Sequence, residues 1–120
     1  MNGLQIIRIE DARTLVKVGV PDPERAKPQE VRVSVALAIS EPPDFLAEDR
    51  LAPTVDYDRI IAFIRRDLDQ PAHLIETLAD RVARHCLSLT PRALWVEVTV
   101  KKPSVMGADG LVSVTLRREA

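Results

Sequence analysis

Aromatic residues are scarce in this chain, 3% of 120 residues with one Trp, one Tyr and two Phe, so its core must be aliphatic. Cysteine occurs once, at Cys86, which excludes an internal disulfide and fits a reducing cytoplasm. The thiol falls in a helical apolar pattern, where packing is its default role. Glycine occurs four times, and neither a glycine-rich phosphate loop nor a G-x-S-x-G elbow is present. No CxxC, HxH or HExxH spacing exists, and His73 and His85 would stand roughly three turns apart on one helix. The expectation is therefore no metal and no cofactor. No apolar run approaches membrane-spanning length, and the start MNGLQIIRIE lacks a signal-peptide layout, so no membrane partner and a cytoplasmic location are expected. An excess of one charge is missing too: 17 basic and 18 acidic residues leave a net charge of −1. Arg65-Arg66, Lys101-Lys102 and Arg117-Arg118 are dispersed pairs rather than a patch, which argues against nucleic acid as a partner.

What is present is the balance of a globular protein, 46% hydrophobic and 29% charged, at a length that suits one domain over residues 1–120. A domain this small leaves much surface exposed, which makes assembly into an oligomer a reasonable expectation. Val31, Val33, Val35, Leu37 and Ile39 alternate with Arg32, Ser34, Ala36 and Ala38, the strongest strand signal in the chain. Upstream, apolar residues from Ile6 to Val20 flank the break Glu10-Asp11-Ala12-Arg13, predicting a hairpin or a bulged, bent strand. The intervening PDPERAKP reads as a loop, since its three prolines prevent regular pairing. Residues 41–53 read as a long surface connection. Tyr57, Ile60, Ile61, Ile64 and Leu68 then follow helical spacing, with Thr54 or Asp56 as cap. A second helix is predicted to begin near Pro71, with Ile75, Leu78, Ala79, Val82 and Cys86 as its stripe. Two strands close the chain, carried by Val96, Val98 and Val100 and by Val112, Val114 and Leu116, with Gly107 and Gly110 at the turn between them. Helices grouped between strand pairs predict an α+β fold, with an antiparallel sheet and helices on one face.

Four polar residues stand where chains often place function. Glu24 lies in the proline-rich loop, Tyr57 starts a helix, Glu76 flanks the second stripe near its start, and Lys102 ends a strand before Pro103. Each also has a plain structural role available. Glu24 and Lys102 suit solvated surface charges, Tyr57 an amphipathic helix edge, and Glu76 a carboxylate favoured near a helix N-terminus. His73, close to the same helix start, reads first as a surface residue. Spacing alone yields candidates and leaves the activity open.

Five segments in order resemble the dihydroneopterin aldolase family: V-G-V-P-D-P-E-R-A-K-P-Q-E-V (18–31), E-D-R-L-A-P-T-V-D-Y (48–57), L-I-E-T-L-A-D-R-V-A (74–83), V-E-V-T-V-K-K-P (96–103) and G-L-V-S-V-T-L-R-R (110–118). The resemblance implies the tunnelling fold, a four-stranded antiparallel sheet carrying two helices. Such sheets join edge to edge into a tetrameric barrel, two of which commonly stack as a homo-octamer, with active sites between subunits. It implies cleavage of 7,8-dihydroneopterin, a step of folate biosynthesis, with the pterin ring itself as electron sink. Glu76 then matches the pterin anchor, Tyr57 the proton relay, Lys102 the general base, and Glu24 the loop carboxylate that organises the site. Val55 and Ile75, beside Tyr57 and Glu76, are expected to contact the ring. Pro21 and Pro23 stand where many members carry aromatic or histidine residues. The sister enzyme that epimerises dihydroneopterin triphosphate shares the fold and most anchors. Against it stand the K-P match and the lack of an added basic cluster for a triphosphate. A non-catalytic pterin-binding module would need Glu76 but not the proton-transfer residues.

Overall fold

Alternating β-branched residues set the frame of the molecule. In the computed structural model the described residues are 3–41, 49, 55–103 and 111–120. Their elements are β1 (Gly3–Val16), α1 (Asp22–Arg25), β2 (Gln29–Glu41), α2 (Tyr57–Ala62), α3 (Ile75–Ser88), β3 (Ala93–Lys102) and β4 (Val112–Glu119). The strands form one antiparallel sheet in the order β1-β2-β3-β4, leaving β1 and β4 as its edges. At about 3.3 Å per residue a strand as long as β1 reaches more than 40 Å. The molecule is accordingly elongated, 52 × 24 × 22 Å. No helix among the described residues is long and apolar enough to cross a membrane.

Period two gives the sheet an apolar and a polar face. Val31, Val33, Val35, Leu37 and Ile39 of β2 and Val96, Val98 and Val100 of β3 are buried on the helix side. Helix α3 covers β3 and β4 with Ile75, Leu78, Ala79, Val82, Ala83 and Cys86, all buried. Helix α2 is capped by Asp56, whose Oδ1 accepts from the backbone N–H of Asp58 at 3.0 Å. It runs on into a π-helical turn over Phe63–Asp67, where Phe63 stacks on His85 of α3 at 4.1 Å. Ile60, Ile64 and Leu68 are buried beneath this segment.

The opposite face is polar at its centre. Thr99 and Thr115 share a hydroxyl hydrogen bond of 2.7 Å, and the Arg117 guanidinium lies 4.1 Å over the Trp95 ring.

Of the two forms expected at Glu10-Asp11 the structure has the bulged strand: pairing with β2 shifts between Ile9 and Ala12, and Asp11 takes φ 53°. Two other expectations require adjustment. The loop PDPERAKP stays out of the sheet but contains the helical turn α1, since Pro23 is acceptable in a first turn. The second helix begins at Ile75 rather than near Pro71. Tertiary pairing prevails there: the N–H of Ala72 donates to the Lys17 carbonyl and that of Gly19 to the Ala72 carbonyl, both at 3.0 Å. These two bonds make a parallel bridge between Val18 and Ala72, and Leu74, still extended, precedes the helix. The connection beyond Glu41, the alternative cap Thr54 and the turn glycines Gly107 and Gly110 lie outside the described residues.

Candidate active site

The alternation that buries the valines of β3 also directs Lys102 inward. Lys102 continues the phase of Val96, Val98 and Val100 and is only 6% exposed, the one charged residue among the buried ones described. Its ammonium pairs with the carboxylate of Glu24. Lys101, one position earlier, points to the polar face, where its Nζ donates to Asp11 Oδ1 at 2.9 Å. That hydrogen bond, together with the charge of Lys101, holds the Asp11 carboxyl below its ordinary range. Two adjacent lysines thus belong to two different faces.

Glu24 is positioned by its neighbours. Arg25 Nη1 donates to the carbonyls of Gly19 at 2.9 Å and Val20 at 2.6 Å, while its guanidinium also pairs with Asp22. Gln29 Nε2 donates to the carbonyls of Val18 at 2.7 Å and Glu24 at 3.0 Å. The turn from Val18 to Glu24 is therefore pinned from both ends. Gly19 takes φ 149°, and a Cβ there would lie 2.4 Å from Glu24 Cδ, so only glycine lets the carboxylate lie across this backbone.

These pieces meet at a cavity of about 220 Å³, lined among others by Gly19, Glu24, His73, Ile75, Glu76 and Lys102. Four residues singled out by sequence, Glu24, Ile75, Glu76 and Lys102, are thus brought to one cleft. Glu76 stands in the first turn of α3 with its side chain open to solvent, and buried Ile75 precedes it. Val55 and Tyr57 do not line this cleft in the single chain. Val55 is buried in the core, and Tyr57 is 58% exposed at the start of α2.

Chemically, the cleft offers a cation buried against a carboxylate, a second carboxylate at a helix start, and an apolar wall. Such a set can accept hydrogen bonds from a planar ligand at Glu76 and move a proton at Lys102. Sequence reading assigned no role in the site to Gly19, Arg25 and Gln29, and took His73 first as a surface residue. A glycine between valines of a strand-like run signals close backbone approach, so Gly19 carried a usable sign. Arg25 and Gln29 act through backbone carbonyls and leave no pattern in sequence.

Comparisons with known proteins bear on the fold and the family. At 28% identity over 116 residues, covering 92% of this chain and 93% of the relative, the chain is similar to a Chlamydia trachomatis protein named "probable dihydroneopterin aldolase". Its fold is that of Escherichia coli dihydroneopterin aldolase in complex with neopterin, at a TM-score of 0.82 and 22% identity over 95% of this chain and 98% of that one. It also superposes on the dihydroneopterin aldolase of Burkholderia thailendensis bound to guanine, at a TM-score of 0.73 and 24% identity over 98% and 92% of the two chains. The sheet and helices described above are therefore the tunnelling fold expected from sequence. The family model for dihydroneopterin aldolase (FolB) matches residues 7–117, and the chain belongs to that family.

Proposed function

We propose that this protein cleaves 7,8-dihydroneopterin by a retro-aldol reaction into 6-hydroxymethyl-7,8-dihydropterin and glycolaldehyde. The observation that carries the reading is the convergence of Glu24, Glu76 and Lys102 on one cleft. In this reading Glu76 accepts two charge-assisted hydrogen bonds from the pyrimidine edge of the pterin, with Ile75 against the ring. Lys102, as the free amine once its own proton has passed to Glu24, takes the proton from the hydroxyl of the second side-chain carbon through a bound water. The bond between the first and second side-chain carbons then breaks, glycolaldehyde leaves, and the electron pair enters the adjacent C=N bond of the ring. A proton returned to the first carbon completes the product. The ring supplies the electron sink, so neither a metal nor a Schiff base is required by the chemistry.

The second wall of the site comes from another subunit. A cavity of about 220 Å³ falls short of the roughly 300–1,000 Å³ of enclosed small-molecule sites. Tyr57 and Val55 lie outside it; in this reading exposed Tyr57 reaches the cleft of an adjacent copy and relays the proton, while Val55, its side chain in the core, meets the ring only through its backbone. The open edges β1 and β4 are the surfaces through which sheets would join into a closed ring, removing exposed strand edges.

Incubation of the protein with 7,8-dihydroneopterin in the presence of EDTA, followed by chromatography of the pterins, tests the proposal. Formation of 6-hydroxymethyl-7,8-dihydropterin, lost in Lys102→Ala and Glu76→Ala, is the expected result. If only an epimer appears, or the pterin binds without reacting, the aldolase reading gives way to an epimerase or a binding module.

A further inference from the structure

Around the Lys102–Glu24 pair the candidate cleft is walled by apolar side chains, those of Val20, Pro21 and Val112. Val112 is the cross-strand partner of Lys102, and Val20 and Pro21 lead into the helical turn that carries Glu24. The main chain of this wall is already engaged. The carbonyls of Gly19 and Val20 accept from Arg25 Nη1. The Pro21 carbonyl accepts from the N–H groups of Glu24 at 3.1 Å and Arg25 at 3.3 Å. Pro21 has no N–H to offer. The two charged groups beside this wall, Glu24 and Lys102, are paired with each other. Among the described lining residues the other polar side chains, His73 and Glu76, belong to the segment at the start of α3. The Lys102 end of the cleft thus offers hydrocarbon surface and carbonyls that are in use.

With the ring at Glu76 and the hydroxyl of the second side-chain carbon at Lys102, the third side-chain carbon reaches this wall. Resting on that reading, we propose that the site prefers a 7,8-dihydropterin whose side chain keeps both hydroxyls next to the ring but ends in a methyl group. Pro21 and Val112 set the preference. Cleavage follows the same course: the second-carbon hydroxyl loses its proton, and the bond between the first and second carbons breaks. The electron pair enters the ring C=N bond and a proton returns to the first carbon. The pterin product is unchanged, and acetaldehyde leaves in place of glycolaldehyde. A terminal methyl gains apolar contact at this wall, whereas a terminal hydroxyl gives up water without a side-chain partner there. Apolar pockets reject an added hydroxyl only modestly, so 7,8-dihydroneopterin remains a substrate.

The test compares kcat/KM of the full chain for 7,8-dihydroneopterin and for its methyl-terminated analogue of the same configuration, read by chromatography of the common pterin product. The analogue is expected to be about tenfold better. Pro21→His and Val112→Ser should each bring the ratio close to one. Pro21→Val suits the extended backbone there (φ −69°, ψ 140°) and keeps the wall apolar, so it should retain the ratio. Both compounds are compared within each protein, so any loss of folded material cancels. A wild-type ratio of one or below overturns the proposal, as does a preference that survives both polar variants or that Pro21→Val also removes. If neither compound is cleaved, the aldolase reading fails and dissociation constants from calorimetry decide the preference. Tighter binding of the analogue, lost in Pro21→His, upholds it; equal or weaker binding overturns it.

Discussion

Lys102 and Glu24, 78 positions apart in the chain, form an ion pair whose two members differ in exposure: the lysine side chain is 8% exposed and the glutamate 34%. Removing one partner therefore differs from removing the other. Glu24→Gln leaves a buried cation without its counter-charge, whereas Lys102→Met leaves a carboxylate that water can reach.

Glu24→Gln is accordingly expected to cost roughly 1–2 kcal/mol of stability, less than a fully buried pair because Glu24 is partly solvated. Lys102→Met is expected to cost less than that. Urea unfolding of both variants checks the order, and a larger loss in Lys102→Met would refute this account of the pair. Both variants should lower kcat by roughly 10²–10⁴, the range of general acid–base contributions.

Lys101 offers the matched control. Its partner Asp11 sits on the bulge of β1, and Lys101→Ala should let the Asp11 carboxyl rise from its lowered value toward the ordinary 3.8. Because the folded value is depressed, the small contribution of this pair is present above pH 3.8 and fades as pH falls below it. Carbon-detected NMR titration of Asp11 reads the shift. Turnover of Lys101→Ala should match the wild type, and a collapse equal to that of Lys102→Ala would show that the residue before proline was the wrong choice.

Gly19→Ala places a methyl group on top of the Glu24 side chain at a backbone angle that L residues rarely adopt. The expected cost is about 1–3 kcal/mol of stability. Because the collision displaces Glu24 rather than Glu76, kcat should fall while the dissociation constant for the pterin changes little. Parallel kinetics and equilibrium binding separate these two quantities, and a variant weakened in binding alone would contradict the arrangement.

Cys86 is fully buried on α3, and burial pushes its thiol up to about 12. At pH 8 the native protein should resist a disulfide reagent and react only on unfolding, so labelling kinetics report the opening of α3. The folded value lies above the ordinary 9.0, so this thiol's contribution to stability is complete below pH 9.0 and declines as pH rises toward about 12. Rapid labelling of native protein at pH 8 would refute the burial.

The sheet was legible in sequence because its apolar residues alternate over long runs, and Lys102 was singled out as the residue before Pro103. Helix starts were harder to read. Pro71 carries a sound local signal for a first turn, but Ala72 is tied by hydrogen bonds to Lys17 and Gly19, which no local pattern reveals. The Arg25 and Gln29 side chains escaped notice for a related reason: they serve main-chain carbonyls of the 18–24 turn. Glu24, Glu76 and Lys102 could be named because a family resemblance supplied them; composition and spacing alone gave them only plausible surface roles.

The bridge between Val18 and Ala72 has a consequence for how the molecule is made. It joins the segment after β1 to the segment before α3, and the candidate cleft depends on that joint as well as on the end of β3. Contacts between distant parts of a chain bear the full cost of loop closure before they are rewarded, so they form late on the route to the native state. A nascent or partly refolded chain could hold a finished β1–β2 ribbon and still have no cleft. Recovery of ligand binding during refolding therefore marks the last stage of folding rather than the first.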